Sequence, residues 1–135
     1  MDQDLERLLV SSHLRVTAAR RAVFRALKTA SAPLSHVEIT KLCSEIDKTS
    51  VYRTIELFIR LGVVAGVSHG WKQRYELAAP YRPHHHHLYC VNCSRTEELQ
   101  SERLEAAIRD LASTSNFEIQ EHTFEATGLC SGCRS

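Results

Sequence analysis

No apolar run in this 135-residue chain approaches the roughly 20 residues a membrane-spanning helix needs, so no membrane partner is expected. The N-terminus, MDQDLERLLVSSHLR, opens acidic and lacks the basic-then-apolar order of a signal peptide, which makes a cytoplasmic protein the expectation. Internal repeats are absent, and the one biased tract is a run of four histidines. Proline is scarce, three residues in all, and two of them, Pro80 and Pro83, fall within four positions. Net charge is nearly absent as well: 17 Lys and Arg against 16 Asp and Glu leave +1. Taken whole, that is a poor prospect for nucleic-acid binding, which grows with the number of cations set against phosphates. With 43% hydrophobic residues, the composition is otherwise that of a globular protein of one domain or two very small ones.

The neutrality is a sum of opposites. Residues 1–83 carry 13 Lys and Arg against 8 Asp and Glu, a net +5, whereas residues 84–135 carry 4 against 8, a net −4. Four of the five cysteines and five of the eight histidines also lie in the second half. The first half therefore suits phosphate, and the second suits metal.

Helical periodicity dominates the first 62 residues. Leu5, Leu8 and Leu9 mark a short first helix. In a second, Thr17 is a plausible N-cap and Val16, Ala19, Val23, Ala26, Leu27 and Ala30 recur at spacings of three and four. Ser35 and Glu38 form a capping-box pattern before a third helix with Val37, Ile39, Leu42 and Ile46 as its apolar stripe, and Cys43 reads as a small core residue. After the short Ile46-Asp47-Lys48 connection, a fourth helix starts near Thr49 and ends at Gly62. Val51, Ile55 and Phe58 share one side of it, while Thr49, Tyr52, Arg53, Glu56 and Arg60 share the other. Two strand-like runs, Val63 to Ser68 and Arg74 to Leu77, flank His69-Gly70-Trp71-Lys72 as a hairpin. The Pro80 to Pro83 segment breaks regular structure. The predicted organisation is α+β: a winged helix-turn-helix over residues 1–79, a hinge at 80–83, and a small α/β domain over 84–135. In that second domain His84 to Val91 and Glu97 to Gln100 read as strands and Glu102 to Ala112 as a helix through Leu104, Ala107, Ile108 and Leu111. Phe117 to Thr127 reads as a long final strand.

Cys90-x-x-Cys93 and Cys130-x-x-Cys133 are the strongest chemical signal. Zn²⁺ takes four thiolates at tetrahedral corners, and a two-residue spacer lets both thiolates of a pair reach one ion. A closed shell of that kind is structural, and it pins a half too small to be stable on its core alone. The competing readings are disulfides, disfavoured by the lack of an export signal, and a redox pair, which would need a thioredoxin-like βαβ context.

Alternation along a strand sends His84 and His86 to one face and His85 and His87 to the other, so a single segment can feed two metal sites. Glu76, Glu97, Glu98, Glu105 and His122 are the residues available to complete them. A solvated His-rich edge that binds metal adventitiously is the plain alternative. Upstream, the third and fourth helices with the hairpin fit a winged helix-turn-helix whose second helix enters a major groove. Tyr52, Arg53 and Arg60 would supply its aromatic and cationic contacts, with Thr49 and Ser50 at its start and Arg15 reaching a flanking minor groove. A merely soluble three-helix bundle fits that segment equally well. A hydrolytic metal site would need a general base beside a metal-bound water and a concave pocket; neither motif nor length provides them, so neither enzymatic activity nor a small-molecule substrate is expected.

Taken in order, the motifs resemble those of the ferric-uptake-regulator family of metal-responsive repressors. Arg15-Val-Thr-Ala-Ala-Arg20 is similar to its R-x-T-x-x-R opening, Thr49-Ser-Val-Tyr-Arg-Thr-Ile55 to its T-V-Y-R-T-L helix, and Arg74-Tyr-Glu-Leu77 to its R-Y-E-L strand. His84-His-His-His-Leu-Tyr-Cys90 with Cys93 resembles H-H-x-H-L-x-C-x-x-C, and His122 with Gly128-Leu-Cys-Ser-Gly-Cys133 resembles the closing H-x5-G-x-C-x-x-C. The resemblance implies a homodimeric winged-helix repressor that binds palindromic double-stranded DNA operators when loaded with metal, its C-terminal α/β domain mediating dimerisation. It implies structural Zn²⁺ on Cys90, Cys93, Cys130 and Cys133. A regulatory site at the hinge falls on Glu76, His85, His87 and Glu98, and a second site on His84, His86, Glu105 and His122. The regulatory ion would be Zn²⁺ or Fe²⁺, with Mn²⁺ and Ni²⁺ as further candidates. Two positions depart from the family pattern: Pro33 stands where members commonly supply a hinge histidine, with His36 three residues on, and His86 stands where many carry Asp. A metal-storage or trafficking module and a peroxide-sensing regulator of the same fold are the alternatives.

Overall fold

The computed structural model describes residues 3–69 and 72–134, and the chain divides after Pro83 into two compact units. The first contains α1 (Gln3–Ser11), α2 (Ala18–Thr29), α3 (His36–Leu42), α4 (Lys48–Arg60), β1 (Val64–His69) and β2 (Lys72–Leu77). Thr17 caps α2 as expected: its backbone is extended and its hydroxyl oxygen accepts the Arg20 N–H at 3.2 Å. The helix buries Val23, Phe24, Ala26 and Leu27, and Phe24 meets Tyr81 edge-on at 5.5 Å. Tyr81, in the segment read as a hinge, thus packs on the core of this unit. Thr17→Ala leaves that N–H without its side-chain acceptor; a loss of about 1 kcal/mol is expected, read as a lower denaturation midpoint with an unchanged slope.

α3 departs most from its predicted stripe. Ile39 is fully buried, but Val37 and Leu42 are 57% and 62% exposed, and Ile46 lies beyond the helix. At about 100° per residue Val37 falls roughly 200° from Ile39. Cys43, which donates its N–H to the Ile39 carbonyl at the C-cap, turns inward in place of Leu42 and is buried, as expected of a core residue. The connection to α4 therefore begins at Cys43 rather than at Ile46. Only half of the capping box forms: Ser35 Oγ accepts the Glu38 N–H at 3.2 Å, while the Glu38 carboxylate accepts from Ser35 Oγ at 3.1 Å and from Arg74 Nη1 at 2.6 Å.

Asp47 caps α4, accepting the Ser50 hydroxyl at 2.6 Å and the Ser50 N–H at 2.9 Å, bonds that hold its carboxyl below the usual range. The helix thus starts a residue before Thr49. Val51, Ile55 and Phe58 are all at 0% exposure, and Thr49, Arg53, Glu56 and Arg60 face solvent, as the periodicity required. Gly62 ends the helix at φ +74°, a left-handed conformation that costs glycine little. β1 and β2 pair antiparallel from Val64↔Leu77 to His69↔Lys72, so the strands run further into the hairpin than predicted, and its Gly70-Trp71 turn lies outside the described residues. Leu34 adds a short antiparallel bridge to Tyr75 on β2 through two hydrogen bonds of 2.9 and 2.8 Å.

The second unit contains β3 (His86–Cys90), β4 (Thr96–Leu99), α5 (Glu102–Thr114) and β5 (Glu125–Gly128), with strand order β4-β3-β5. β3 is antiparallel to β4 and parallel to β5. The predicted first strand begins at His86 rather than His84, and the predicted Phe117–Thr127 strand is confined to Glu125–Gly128. The ladder beside β3 is filled by that last segment, and residues 117–124 enter no strand. α5 buries no residue fully, and Leu111 of its predicted stripe is 68% exposed. Among the described residues no helix is long and apolar enough to cross a membrane.

Candidate metal centres and nucleic-acid face

The parallel pairing of β3 and β5 brings the two cysteine pairs together. The ladder ends at Cys90↔Gly128, and the Val91 N–H continues it to the Gly128 carbonyl at 2.9 Å, so both chains leave the sheet side by side. Each then turns tightly: the Ser94 N–H bonds to the Cys90 carbonyl at 3.0 Å, and the Cys133 N–H to the Cys130 carbonyl at 3.0 Å. Ser94 takes φ +65° to complete the first turn. The four Sγ atoms lie within 4.8 Å of one another, with Cys93 and Cys130 at 3.8 Å. Four sulfurs around Zn²⁺ at about 2.3 Å stand about 3.8 Å apart, so the residues fit the ion. The backbone N–H of Cys93, then that of Cys130, holds the Cys90 thiol down to about 6. For Cys93 the Arg95 N–H pulls down, but the Cys90 thiol, burial and the thiols of Cys130 and Cys133 push it up to about 11. Thiols packed this closely resist carrying charge together unless a cation joins them.

His84, His86, Glu105 and His122 form a second cluster, also within 4.8 Å. Glu105 reaches it from the first turn of α5. Its Oε1 is 2.7 Å from His86 Nε2 and 3.2 Å from His84 Nε2, and its Oε2 is 2.7 Å from His122 Nε2. The hydrogen bond from His86, ahead of the charges of His122 and His84, holds the Glu105 carboxyl below its ordinary range. His84 and His122 bring their Nε2 atoms to 3.1 Å. His86 is 1% exposed and its Nδ1 accepts the Phe124 N–H at 3.1 Å, which fixes the ring with Nε2 toward Glu105. Three imidazoles and a carboxylate suit Zn²⁺ and other first-row divalent ions.

His85 and His87 turn the other way and bring their Nε2 atoms to 3.1 Å. His87 Nδ1 stands 3.6 Å from the carboxylate of Glu125, its register partner on β5. That is ion-pair range rather than a hydrogen bond, and Glu125 is not among the residues singled out from sequence. Glu98 lies opposite His87 in the β3–β4 ladder but outside the clustered donor atoms. Glu76 is on β2 of the first unit, opposite Ala65.

On the first unit, the outward side of α4 carries Thr49, Arg53 and Arg60 exposed and Tyr52 half-buried. Ser50 is engaged by the Asp47 cap. Arg15 is exposed before α2, and its carbonyl accepts from the Arg20 guanidinium, so the second arginine of the R-x-T-x-x-R motif fixes the backbone that carries the first.

The sequence model of the family described as the ferric uptake regulator family matches residues 11–127. The chain belongs to the ferric uptake regulator family. The ferric uptake regulation protein of Bacillus subtilis is 30% identical over 96% of this chain and 91% of its own length. The Helicobacter pylori ferric uptake regulator, described as having three functional metal-binding sites, superimposes with a TM-score of 0.84 at 21% identity, covering 97% of this chain and 89% of that one. A zinc uptake regulator solved with zinc and DNA has a TM-score of 0.64 at 23% identity, covering 96% and 94% of the two chains. Of the positions noted from sequence, Pro33 is buried and its carbonyl accepts from Arg74 Nη1 at 3.4 Å, while His36 lies against Tyr52 and Tyr75.

Proposed function

We propose that the protein is a metal-dependent transcriptional repressor that binds palindromic DNA operators as a homodimer and controls metal homeostasis. The observation that carries this reading is the convergence of His85 and His87 at 3.1 Å, eleven residues or fewer beyond Glu76 and directly after the boundary between the units. In this reading Glu76, His85 and His87, with Glu98 beside them, hold a regulatory Zn²⁺ or Fe²⁺ whose ligands come from both units. Glu76 and the histidine pair would hold the ion from either side of residues 80–83; its divalent charge would be what favours the arrangement suited to DNA. A tenfold change in DNA affinity requires about 1.4 kcal/mol of differential binding, within reach of one shared ligand set.

Cys90, Cys93, Cys130 and Cys133 keep a structural Zn²⁺, and His84, His86, Glu105 and His122 form a second site. α4 enters the major groove, where Tyr52 and Arg53 read base edges while Arg15, Thr49, Ser50 and Arg60 meet the backbone and flanking groove. The exposed Leu111, Phe117 and Leu129, at 68%, 68% and 55%, favour a second copy of the chain covering this unit. Twofold symmetry of the protein then matches twofold symmetry of the operator.

His85→Ala combined with His87→Ala is expected to lower metal-dependent operator binding at least tenfold in a gel shift while leaving the four-cysteine site loaded. Unchanged metal-dependent binding would overturn the regulatory site. A wild-type protein that takes up metal yet binds no specific duplex would favour the storage reading instead.

A further inference from the structure

Tyr52, on the outward side of α4, has a partner that the helix-turn-helix pattern does not require. His36, the first residue of α3, stacks on it with ring centroids 4.2 Å and planes 19° apart. The same imidazole meets Tyr75 of β2 at 4.7 Å and 69°. One ring therefore joins the start of α3, the recognition helix and the wing.

The backbone around His36 is fixed on each side. Leu34 is hydrogen-bonded both ways to Tyr75, Ser35 caps the helix, and Glu38 is paired with Arg74 at 2.6 Å. Arg74 also donates to the Pro33 carbonyl. His36 is thus held by contacts unrelated to Tyr52, and the stack transmits that fixation to the tyrosine. Burial, opposed by the nearby charge of Glu56, lowers the His36 pKa. The Lys48 ammonium stands 6.0 Å from the centroid of the same tyrosine ring.

We infer that His36 is a positioning residue for DNA recognition, holding the Tyr52 ring in one orientation against the wing before DNA arrives. The inference rests on the proposed DNA-binding function and on Tyr52 being one of its contacts. An unsupported tyrosine on a half-exposed helix face must be ordered on binding, and prior ordering is worth about three- to tenfold in affinity for one side chain. This role differs from that of a hinge ligand replacing the histidine absent at position 33. Among the described residues of the first unit, His36 belongs to no cluster of three or more metal-capable side chains.

The test uses the full-length, metal-loaded protein and a duplex recovered from a random library by the wild type. His36→Ala should weaken binding about three- to tenfold and relax base preference at the step protected by Tyr52. His36→Phe, which preserves a stacking ring and removes both nitrogens, should restore affinity and preference with unchanged metal stoichiometry. Added to Tyr52→Ala, His36→Ala should cost nothing further. Additive losses, or a His36→Phe protein as impaired as His36→Ala, would overturn the inference; loss of metal in His36→Phe would identify a ligand instead. If Tyr52→Ala binds like wild type, the assignment of Tyr52 to DNA fails and the inference with it. If no duplex is recovered at all, the proposed function itself fails.

Discussion

Cys130→Ser is expected to strip zinc from the four-thiolate cluster and to unfold residues 84–135. Cys130 stands two residues beyond β5 and places its Sγ 3.8 Å from that of Cys93, so its loss removes a side-chain tie between the two cysteine turns. A backbone ladder joins the strands before those turns, but little apolar core backs them. Among the described residues of this unit the buried side chains are His86, His87 and Cys90, two of which are polar, and α5 has none. Apparent binding free energies of structural zinc sites run about 10–16 kcal/mol, comparable to or above the roughly 5–15 kcal/mol that stabilises a whole domain. Metal analysis after competition with a chelator should show one retained zinc per wild-type chain and none in the variant, together with a fall in far-UV ellipticity. The first unit, whose core is separate, should keep its own transition. A variant that retains zinc and melts with the wild type would refute the structural role.

Phe58→Ala should be the most damaging single truncation in the first unit. Its ring is at 0% exposure on the inner side of α4, and its carbonyl accepts the Val63 N–H at 2.8 Å where the helix gives way to the wing. Truncation of a buried Phe costs about 3–5 kcal/mol, because the transfer term is joined by the cavity left behind. Chemical denaturation should register that loss in the transition of residues 1–83, and DNA binding would fall through unfolding rather than through a lost contact. A change below about 1 kcal/mol would mean that the core around α2, α4 and the hairpin collapses onto the gap more freely than close packing allows.

What was legible from sequence followed from local rules. The Thr17 cap, the left-handed Gly62 and the two faces of α4 each depend on a few neighbouring residues, and each is found where periodicity and capping put it. The four cysteines and the two histidine pairs were legible because ligand spacing is a local constraint too, and the structure gathers His84, His86, Glu105 and His122 into one cluster. Elements that failed depend on what lies opposite. The Phe117 to Thr127 segment alternates like a strand, but alternation reports two faces and not a neighbour, and only its last residues have one. Leu42 kept helical spacing yet turned outward because the helix ended and Cys43 took the inner position. Glu125 behind His87 and His36 against Tyr52 are contacts across 38 and 16 positions of chain, with no spacing rule to announce them.

Among the described residues β3 carries three kinds of metal-capable position: His86 lies in the group with His84, Glu105 and His122, His87 faces the other way beside His85, and Cys90 ends the strand in the four-cysteine group. The strand is therefore a ruler with three marks. Slippage by a single residue would carry His86 and His87 each to the opposite face and exchange the two histidine sites. Anchoring Cys90 fixes the zero of that ruler, so the cysteine cluster sets the phase in which the histidines can be read. A metal held by the four thiolates would therefore also help to keep His86 and His87 on their own faces of the strand.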